Sequence, residues 1–406
     1  MSETASIGGA VAQGWEPVRD AFVNNFSTTE EVGSGVSVFH RGEKVVDLWG
    51  GTFEDPAASP DAVAYDENTL QLVFSTTKGI TAIAVAICVD RGLLAYDAPV
   101  SKYWPEFAAH DKGDATVAQL LSHQCGLYTV DGAISLEEAL DWNTVTARLA
   151  ETAPRWPIGS THGYHALTYG WLAGELVRRV DPQQRSLGSF VRDEIVAPLG
   201  VELWIGLPEE QESRVSPMIS SPPPTDPAIL AMAAMFIGPG TPGGDALSLN
   251  GAFSAPEVVA GSLATNLFNT RAVHAAEIPA ANCITNARAL AKVYAATLQS
   301  IDGIQLITDG TRDVARATVT PDGESDKCLI MNTTFGMGFM THGPFTPYSG
   351  PGCYGHFGAG GSVAFASPER HLAFGYVMNR MANGLAGDLR AQSLIDAAAA
   401  CADTAG

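Results

Sequence analysis

Positive charge is scarce in this sequence of 406 residues. Lys and Arg number 23 against 44 Asp and Glu, so the formal net charge is −21 at pH 7. Nucleic acids and anionic membrane surfaces are bound through basic patches, and this balance argues against both as partners. We therefore expect neither a nucleic-acid nor a membrane partner, but a neutral or cationic small molecule. The composition leaves the oligomeric state open.

Paired cysteines and metal-binding spacings are missing as well. The six cysteines are scattered, without a Cys-x-x-Cys pair. His162 and His165 are three residues apart, but no second group of ligands accompanies them, so we expect no metal site and no cofactor. Together with His123 they are expected to be structural, with a place along a cleft as the alternative. Because the first residues lack the apolar stretch of a secretory signal, we expect reduced thiols and a cytoplasmic location.

Two further absences narrow the class of protein. No apolar run is long enough to cross a bilayer. No Gly-x-Ser-x-Gly is present either, which disfavours an α/β-hydrolase.

The chain does contain Ser75 and Lys78, three residues apart, at the start of the apolar run Ile80 to Val89. In a helix this spacing places both side chains on one face. A lysine can act as a base for a serine once burial lowers its pKa, and the apolar run predicts such burial. The pair alone is a weak signal: with six lysines and 26 serines, a chance Ser-x-x-Lys has a probability of roughly a third. The alternative is a serine that caps a helix.

Strand and helix patterns alternate along the chain in a way that predicts an α+β fold. Strand hairpins are predicted near both ends, over residues 35–51 and 361–379, and helical periodicity dominates from 80 to about 320. We expect one antiparallel sheet built from both chain ends and flanked by helices. The expected subdomains are 1–79 with 325–406 (α/β) and 80–324 (mostly helical), with the active site at their interface. Further elements are predicted as helices over 14–26, 135–150, 227–236, 286–299 and 387–402, and a strand over 335–340.

Two other stretches hold candidate site residues. Tyr164 lies at a predicted loop-to-helix junction, from which a side chain can reach a cleft; a core tyrosine is the alternative. Residues 355–362 are dense in glycine and precede a strand, so their backbone N–H groups could form an oxyanion hole. A structural β-bulge is the alternative there.

In this order, Ser75-x-x-Lys78, Tyr164 and His356-x-Gly358 resemble the serine β-lactamase and penicillin-binding protein superfamily. The pattern is most similar to the class C β-lactamase-like carboxylesterases, the family VIII esterases. Residues 120–127 are similar to the Leu-Leu-x-His-x-Ser-Gly-Leu motif of that family, with Cys125 at the position of the serine. The resemblance implies the β-lactamase/transpeptidase-like fold, with a mostly helical second subdomain.

The resemblance also implies roles for these residues. Ser75 would be the acylated nucleophile, and Lys78 and Tyr164 would share the general-base work, with Tyr164 held as a partial phenolate by the charge of Lys78. The N–H groups of Ser75 and Ala359 would form the oxyanion hole. Other substrate-binding positions at the third motif would be His356, Gly358 and Gly360.

Two departures from the lactamase pattern favour esters as substrates. The Tyr-x-Asn of class C enzymes is Tyr164-His165-Ala166 here, and His356 stands where relatives often have lysine. We therefore expect a serine carboxylesterase for small, short-acyl esters, with the apolar segment near 227–237 as one wall of the cleft. The alternatives are a β-lactamase, a D-amino-acid peptidase or amidase, an acyltransferase, and, in another class, a non-catalytic penicillin-binding sensor-like module.

Overall fold

The computed structural model describes residues 6–221, 225–254, 265–321 and 323–405. The strands of these ranges are β1 (Ile7–Val11), β2 (Gly33–His40), β3 (Glu43–Gly51), β4 (Leu70–Leu72), β5 (Leu203–Trp204), β6 (Val215–Ser216), β7 (Ile284–Thr285), β8 (Met340–Thr341), β9 (Tyr354–Phe357), β10 (Val363–Ser367) and β11 (Leu372–Met378). The helices are α1 (Glu16–Thr28), α2 (Thr77–Asp90), α3 (Val117–Leu121), α4 (Leu136–Leu140), α5 (Trp142–Glu151), α6 (Thr168–Val180), α7 (Leu187–Val191), α8 (Ala197–Leu199), α9 (Pro227–Ile237), α10 (Pro242–Ser248), α11 (Thr265–Phe268), α12 (Arg271–Ala275), α13 (Ala287–Leu298), α14 (Asp309–Ala315) and α15 (Leu389–Thr404).

A seven-stranded antiparallel sheet joins the two ends of the chain. Its order is β1-β3-β2-β11-β10-β9-β8, so the hairpin β2–β3 pairs directly with the C-terminal strand β11. Val38 of β2 lies opposite Phe374 of β11, for example. Both strands are buried along their whole length, because helices cover the sheet on its two faces. The predicted fold class, with a sheet built from both chain ends, is confirmed.

Helices α1 and α15 contact each other, and α13 packs against β2, β10 and β11. A Cβ at Gly375 of β11 would lie 2.5 Å from the carbonyl oxygen of Ala287, so glycine is needed there for α13 to approach the sheet closely. This helix lies in the segment predicted as the helical subdomain but packs on the sheet. The subdomain boundaries stay a prediction.

Helix α2 is the central helix of the molecule. Every side chain from Thr77 to Cys88 is buried, and the helix contacts α6, α7 and α14 as well as strand β9. A small second sheet has the order β5-β7-β4-β6; β5, β6 and β7 lie in the segment predicted to be mostly helical, and β4 lies before it. Its strand β4 ends three residues before Ser75, so the nucleophile candidate follows a strand and precedes a buried helix.

Three local predictions were wrong in detail. The single helix predicted over 135–150 is two helices, α4 and α5, because Asp141 accepts a hydrogen bond from the backbone N–H of Thr144 and starts a new helix. The strand predicted over 335–340 is reduced to a bridge between Phe335 and Met340, since Gly338 between them has a φ of +90°. The glycine-dense stretch 355–362, predicted only to precede a strand, itself overlaps strand β9, which carries His356. Within the described ranges, every helix is too short or too polar to span a bilayer.

Candidate active site

Ser75 lies in a tight 3₁₀ turn, Phe74–Thr76, that leads into α2. Phe74 has a φ of +42°, which is uncommon for a bulky residue, and its ring packs at 5.0 Å from that of Phe268. Such backbone strain often marks a functional site. The residue that caps α2 is Thr76, and no side chain makes the capping hydrogen bond. The alternative of Ser75 as a helix cap is therefore wrong.

Lys78 is fully buried beneath this turn. Its Nζ lies 3.0 Å from Ser75 Oγ, 2.7 Å from the carbonyl oxygen of Ala166 and 2.9 Å from that of Ala280. Burial away from water lowers the pKa of Lys78 well below its usual range. A neutral amine has two N–H groups and one lone pair. Since the two carbonyls can only accept, they take both N–H groups and leave the lone pair for the Ser75 hydroxyl.

Tyr164 contacts the same serine from the other side. Its phenol is hydrogen-bonded to the Ser75 side chain, and the face of its ring lies 4.7 Å from Lys78 Nζ. Burial raises the pKa of Tyr164, and the Asp326 carboxylate acts in the same direction. The side chain is therefore a neutral phenol at neutral pH. This differs from the expected partial phenolate, because burial disfavours the charged forms of both Lys78 and Tyr164.

The glycine-dense third motif lies directly against the serine turn. A Cβ at Gly358 would lie 2.3 Å from the carbonyl oxygen of Val73 and 2.9 Å from Thr76 Oγ1, so only glycine allows this approach. Ser362 Oγ donates a hydrogen bond to Val73 O (2.8 Å) and lies 3.0 Å from Thr76 Oγ1. A 3₁₀ turn, Ala359–Gly361, begins next to Gly358, and Gly360 within it has a φ of +85°. The structure thus brings the third motif together with Ser75, as the sequence predicts.

His356 carries no positive charge in this structure. It is fully buried on β9, and its Nδ1 donates a hydrogen bond to the carbonyl oxygen of Phe357 at 2.7 Å. The remaining ring nitrogen, Nε2, is then an unprotonated acceptor. Burial and the nearby Lys78 lower the pKa of His356 well below its usual range, and its ring stacks on Tyr164 at 6.1 Å. A neutral acceptor therefore occupies the place of the lysine in related motifs.

The other three histidines considered in the sequence analysis, His123, His162 and His165, are buried and hydrogen-bonded around the tyrosine loop. His165 Nδ1 donates to Gly163 O at 2.6 Å, and its Nε2 accepts from the N–H of Leu127 at 2.8 Å. His162 Nε2 lies 3.0 Å from Thr333 Oγ1. His123 is in edge contact with the Tyr164 ring at 5.2 Å. The interpretation of all three as structural residues fits these contacts, with His123 at the edge of the site.

Three functional contacts were missed by the sequence reasoning. The carbonyls of Ala166 and Ala280, which hold Lys78, belong to alanines whose side chains carry no chemical signal. Asp326 accepts hydrogen bonds from the backbone N–H of Tyr164 at 3.0 Å to each carboxylate oxygen. Only an acidic residue followed by a compact loop could have suggested it, and such patterns are common.

Comparison with known proteins agrees with this geometry. The family described as Beta-lactamase matches residues 19–399, nearly the whole chain. The chain belongs to the β-lactamase family.

Proteins similar to this β-lactamase family member include esterases and a penicillin-binding protein homologue, at comparable sequence identities. It is 34% identical over 375 residues to "Esterase/beta-lactamase LipL" of Mycobacterium tuberculosis, covering 90% of this chain and 81% of LipL. A crystal structure of a family VIII carboxylesterase is similar with a TM-score of 0.84 and 34% identity, over 98% of this chain and 100% of that one. A penicillin-binding protein homologue from Caulobacter crescentus has a TM-score of 0.81 and 36% identity over the same shares.

These similarities confirm the superfamily inferred from the three motifs, and with it the prediction of a β-lactamase-like hydrolase. The roles of the individual site residues stay predictions.

Proposed function

We propose that this β-lactamase family member is a serine carboxylesterase that hydrolyses small, short-acyl esters through an acyl-enzyme on Ser75. The observation that carries the proposal is the position of Lys78 Nζ, between two backbone carbonyls and the Ser75 hydroxyl. The similarity to a family VIII carboxylesterase and to an esterase/β-lactamase supports it.

In the acylation step, Ser75 Oγ attacks the ester carbonyl carbon while its proton moves to the neutral amine of Lys78. A protonated lysine could not take this proton, which is why the lowered pKa of Lys78 matters. The backbone N–H groups of Ser75 and Ala359 would stabilise the negative charge that forms on the carbonyl oxygen. Each such donor is typically worth about 10²–10³ in rate.

The leaving alkoxide then needs a proton. Tyr164 is a neutral phenol hydrogen-bonded to Ser75, so it can donate its proton to the alkoxide and regain one from the Lys78 ammonium. The alcohol departs and both side chains return to their neutral forms. In the second half of the reaction, Lys78 accepts a proton from water as the water attacks the acyl-enzyme, and Ser75 leaves with a proton delivered along the same path.

Two features support esters over β-lactams. The residue two positions after Tyr164 is Ala166, which has no side-chain amide and uses its carbonyl to hold Lys78. The third-motif residue His356 is a neutral acceptor that offers no charge to a substrate carboxylate.

The test is a panel of p-nitrophenyl acetate, p-nitrophenyl butyrate, nitrocefin and a D-amino-acid amide, each with and without Ser75→Ala. We expect kcat/KM for the short esters to exceed that for nitrocefin by at least about 10²-fold, and Ser75→Ala to lose at least about 10³-fold. Faster turnover of nitrocefin or of the amide would contradict the ester assignment. One burst of product per chain without turnover would favour a penicillin-binding sensor-like module instead.

A further inference from the structure

Three successive backbone N–H groups around Tyr164 are held by two residues from distant parts of the chain. The N–H of Gly163 donates to the carbonyl oxygen of His123 at 3.0 Å. The N–H of Tyr164 donates to both carboxylate oxygens of Asp326, each at 3.0 Å. The N–H of His165 donates to His123 Nδ1 at 3.1 Å. The loop is thereby fixed on both sides of the tyrosine.

Asp326 is itself held rigidly. Its side chain is fully buried, and Oδ1 also accepts from the N–H groups of Cys328 and Leu329, both at 2.8 Å. Oδ2 also accepts from Thr333 Oγ1 at 2.8 Å. Hydrogen bonds to an ionised group are roughly twice as strong as neutral ones. The carboxylate therefore cannot move relative to the 326–333 loop without breaking several of them.

His123 adds a second fixed point. Its φ of +64° is in the left-handed region, and in this conformation its carbonyl and its ring nitrogen both reach the tyrosine loop. The ring lies in edge contact with Phe335 at 4.4 Å and with Tyr164 at 5.2 Å. Phe335 in turn stacks on Tyr164 at 6.0 Å.

From these contacts we infer that Asp326 and His123 are positioning residues, which hold the Tyr164 phenol where it can pass its proton to the leaving group. The inference rests on the role proposed above for Tyr164. Neither residue is proposed to contact the substrate. Each holds the backbone on which the tyrosine is mounted; His123 also contacts the Tyr164 ring, and the Asp326 carboxylate also raises the pKa of the phenol. A misplacement of about 1 Å can cost about 10²-fold in rate.

This role has a chemical signature that general destabilisation lacks. A p-nitrophenolate leaves without being protonated, whereas the alkoxide of an alkyl ester requires a proton from Tyr164. Displacing the phenol should therefore slow the hydrolysis of ethyl butyrate far more than that of p-nitrophenyl butyrate. The ratio of the two kcat/KM values reports the position of Tyr164, because kcat/KM covers only the steps up to formation of the acyl-enzyme that both esters share. Partial unfolding lowers both values equally.

The experiment is a double-mutant cycle of Asp326→Asn and Tyr164→Phe. Asparagine keeps the shape and one acceptor oxygen but loses the charge. We expect Asp326→Asn to lower kcat/KM for ethyl butyrate by about 10–10²-fold, and kcat/KM for p-nitrophenyl butyrate by less than about 3-fold. In the Tyr164→Phe background, Asp326→Asn should cause no further loss of the ratio, because the group it positions is gone.

A second pair of variants keeps the inference testable if Asp326→Asn does not fold. His123→Asn tolerates the left-handed backbone and presents its amide oxygen near the place of Nδ1, so it should keep the ratio. His123→Ala removes the acceptor and should lower the ratio as Asp326→Asn does. Equal ratios for His123→Ala and the parent would contradict the positioning role of His123.

Glu175→Gln is the matched control. Glu175 is also a buried carboxylate, but it lies on α6 and holds Trp142, Arg178 and Arg179. The Glu175→Gln substitution should lower the melting temperature and leave the ratio for the two esters unchanged. If Tyr164→Phe itself leaves the ratio unchanged, the role proposed for Tyr164 is wrong and the inference falls with it. If Tyr164→Phe changes the ratio but Asp326→Asn does not, the inference alone is wrong.

Discussion

Burial shifts the pKa values of Lys78 and Tyr164 in opposite directions, each towards the neutral form of the side chain. Removing water disfavours charge, so burial lowers the pKa of the amine and raises that of the phenol. The pair next to Ser75 is therefore one base and one acid, rather than an ammonium and a phenolate. In the proposed mechanism, charge develops there only as the reaction proceeds, when Lys78 takes the serine proton.

Lys78→Arg separates proton acceptance from positive charge. Arginine stays protonated at any working pH, so it can donate to the Ala166 and Ala280 carbonyls but cannot take a proton. We expect kcat/KM for p-nitrophenyl butyrate to fall by at least about 10²-fold. In the parent enzyme, activity should rise with pH through the lowered pKa of Lys78, because the neutral amine is the active form. Near-parental activity of Lys78→Arg would show that catalysis depends on the positive charge at this position and not on proton acceptance.

At this scale residue spacing alone predicts contacts only between neighbours along the chain, whereas the grouping of Tyr164 and the third motif with Ser75 was predicted from the resemblance to a known family. Ser75 and Lys78 are three residues apart at a helix start, so their contact is predictable from helix geometry. Asp326 is 162 residues from Tyr164 and binds it through a backbone N–H. Because the contact is with a backbone N–H, the residue type at position 164 does not indicate its partner. Asp326 could therefore not be predicted.

Among the elements, the start of α15 supports the turn that carries Ala359. Arg390 donates to the carbonyl oxygen of Gly360 at 2.8 Å and is paired with Asp388 at 2.6 Å and with Glu31 at 3.3 Å. All three charged side chains are buried, and Tyr376 donates a hydrogen bond to Glu31. This network links β11 and both terminal helical regions to the proposed oxyanion turn.

Arg390→Met should destabilise the protein and lower its rate of ester hydrolysis. Removing one partner of a buried ion pair leaves uncompensated charge on Glu31 and Asp388, which typically costs about 3–5 kcal/mol. We expect that loss in the free energy of unfolding measured with urea, together with a lower kcat for short esters. Arg19→Ala, which removes an exposed pair with Asp20, is the control and should change stability by less than about 0.5 kcal/mol. Equal stability of the two variants would contradict the supporting role of Arg390.

Element boundaries were harder to predict than the elements themselves. The capping box of Ser135 and Glu138 is present as the sequence suggests. The break after Leu140 depends on one competing cap at Asp141, and the pattern of apolar residues runs through it. Strand β9 was not predicted, because the glycines of the third motif give no strand signal; the extended conformation of Gly355 is imposed by pairing with Phe365 of β10.

At the scale of the whole molecule, the site forms where the sheet made by both chain ends meets the helices between them. Strand β9 and the serine turn come into contact across this boundary, and Gly358 allows their close approach. The alternating strands and periodic helices were sufficient to predict this architecture. The small sheet of β4 to β7 was not predictable, since its strands are only two or three residues long.

The six cysteines provide a test of the packing of the whole chain. All are free and buried, and burial raises the pKa of Cys88 and Cys125 to about 12. Because the thiolate is the reactive form, a thiol-exchange reagent should label fewer than about one thiol in the native protein. In concentrated guanidinium chloride it should label all six. Rapid labelling of several thiols in the native state would contradict the packing described.

The most direct measurement is the intact mass of the protein after reaction with a small phosphonate ester, followed by peptide mapping. We expect one adduct per chain, on Ser75, formed at neutral pH because burial lowers the pKa of Lys78 well below its usual range. The adduct should be absent in Ser75→Ala and strongly reduced in Lys78→Arg. No adduct, or an adduct on another residue, would contradict the assignment of Ser75 as a nucleophile activated by a neutral lysine.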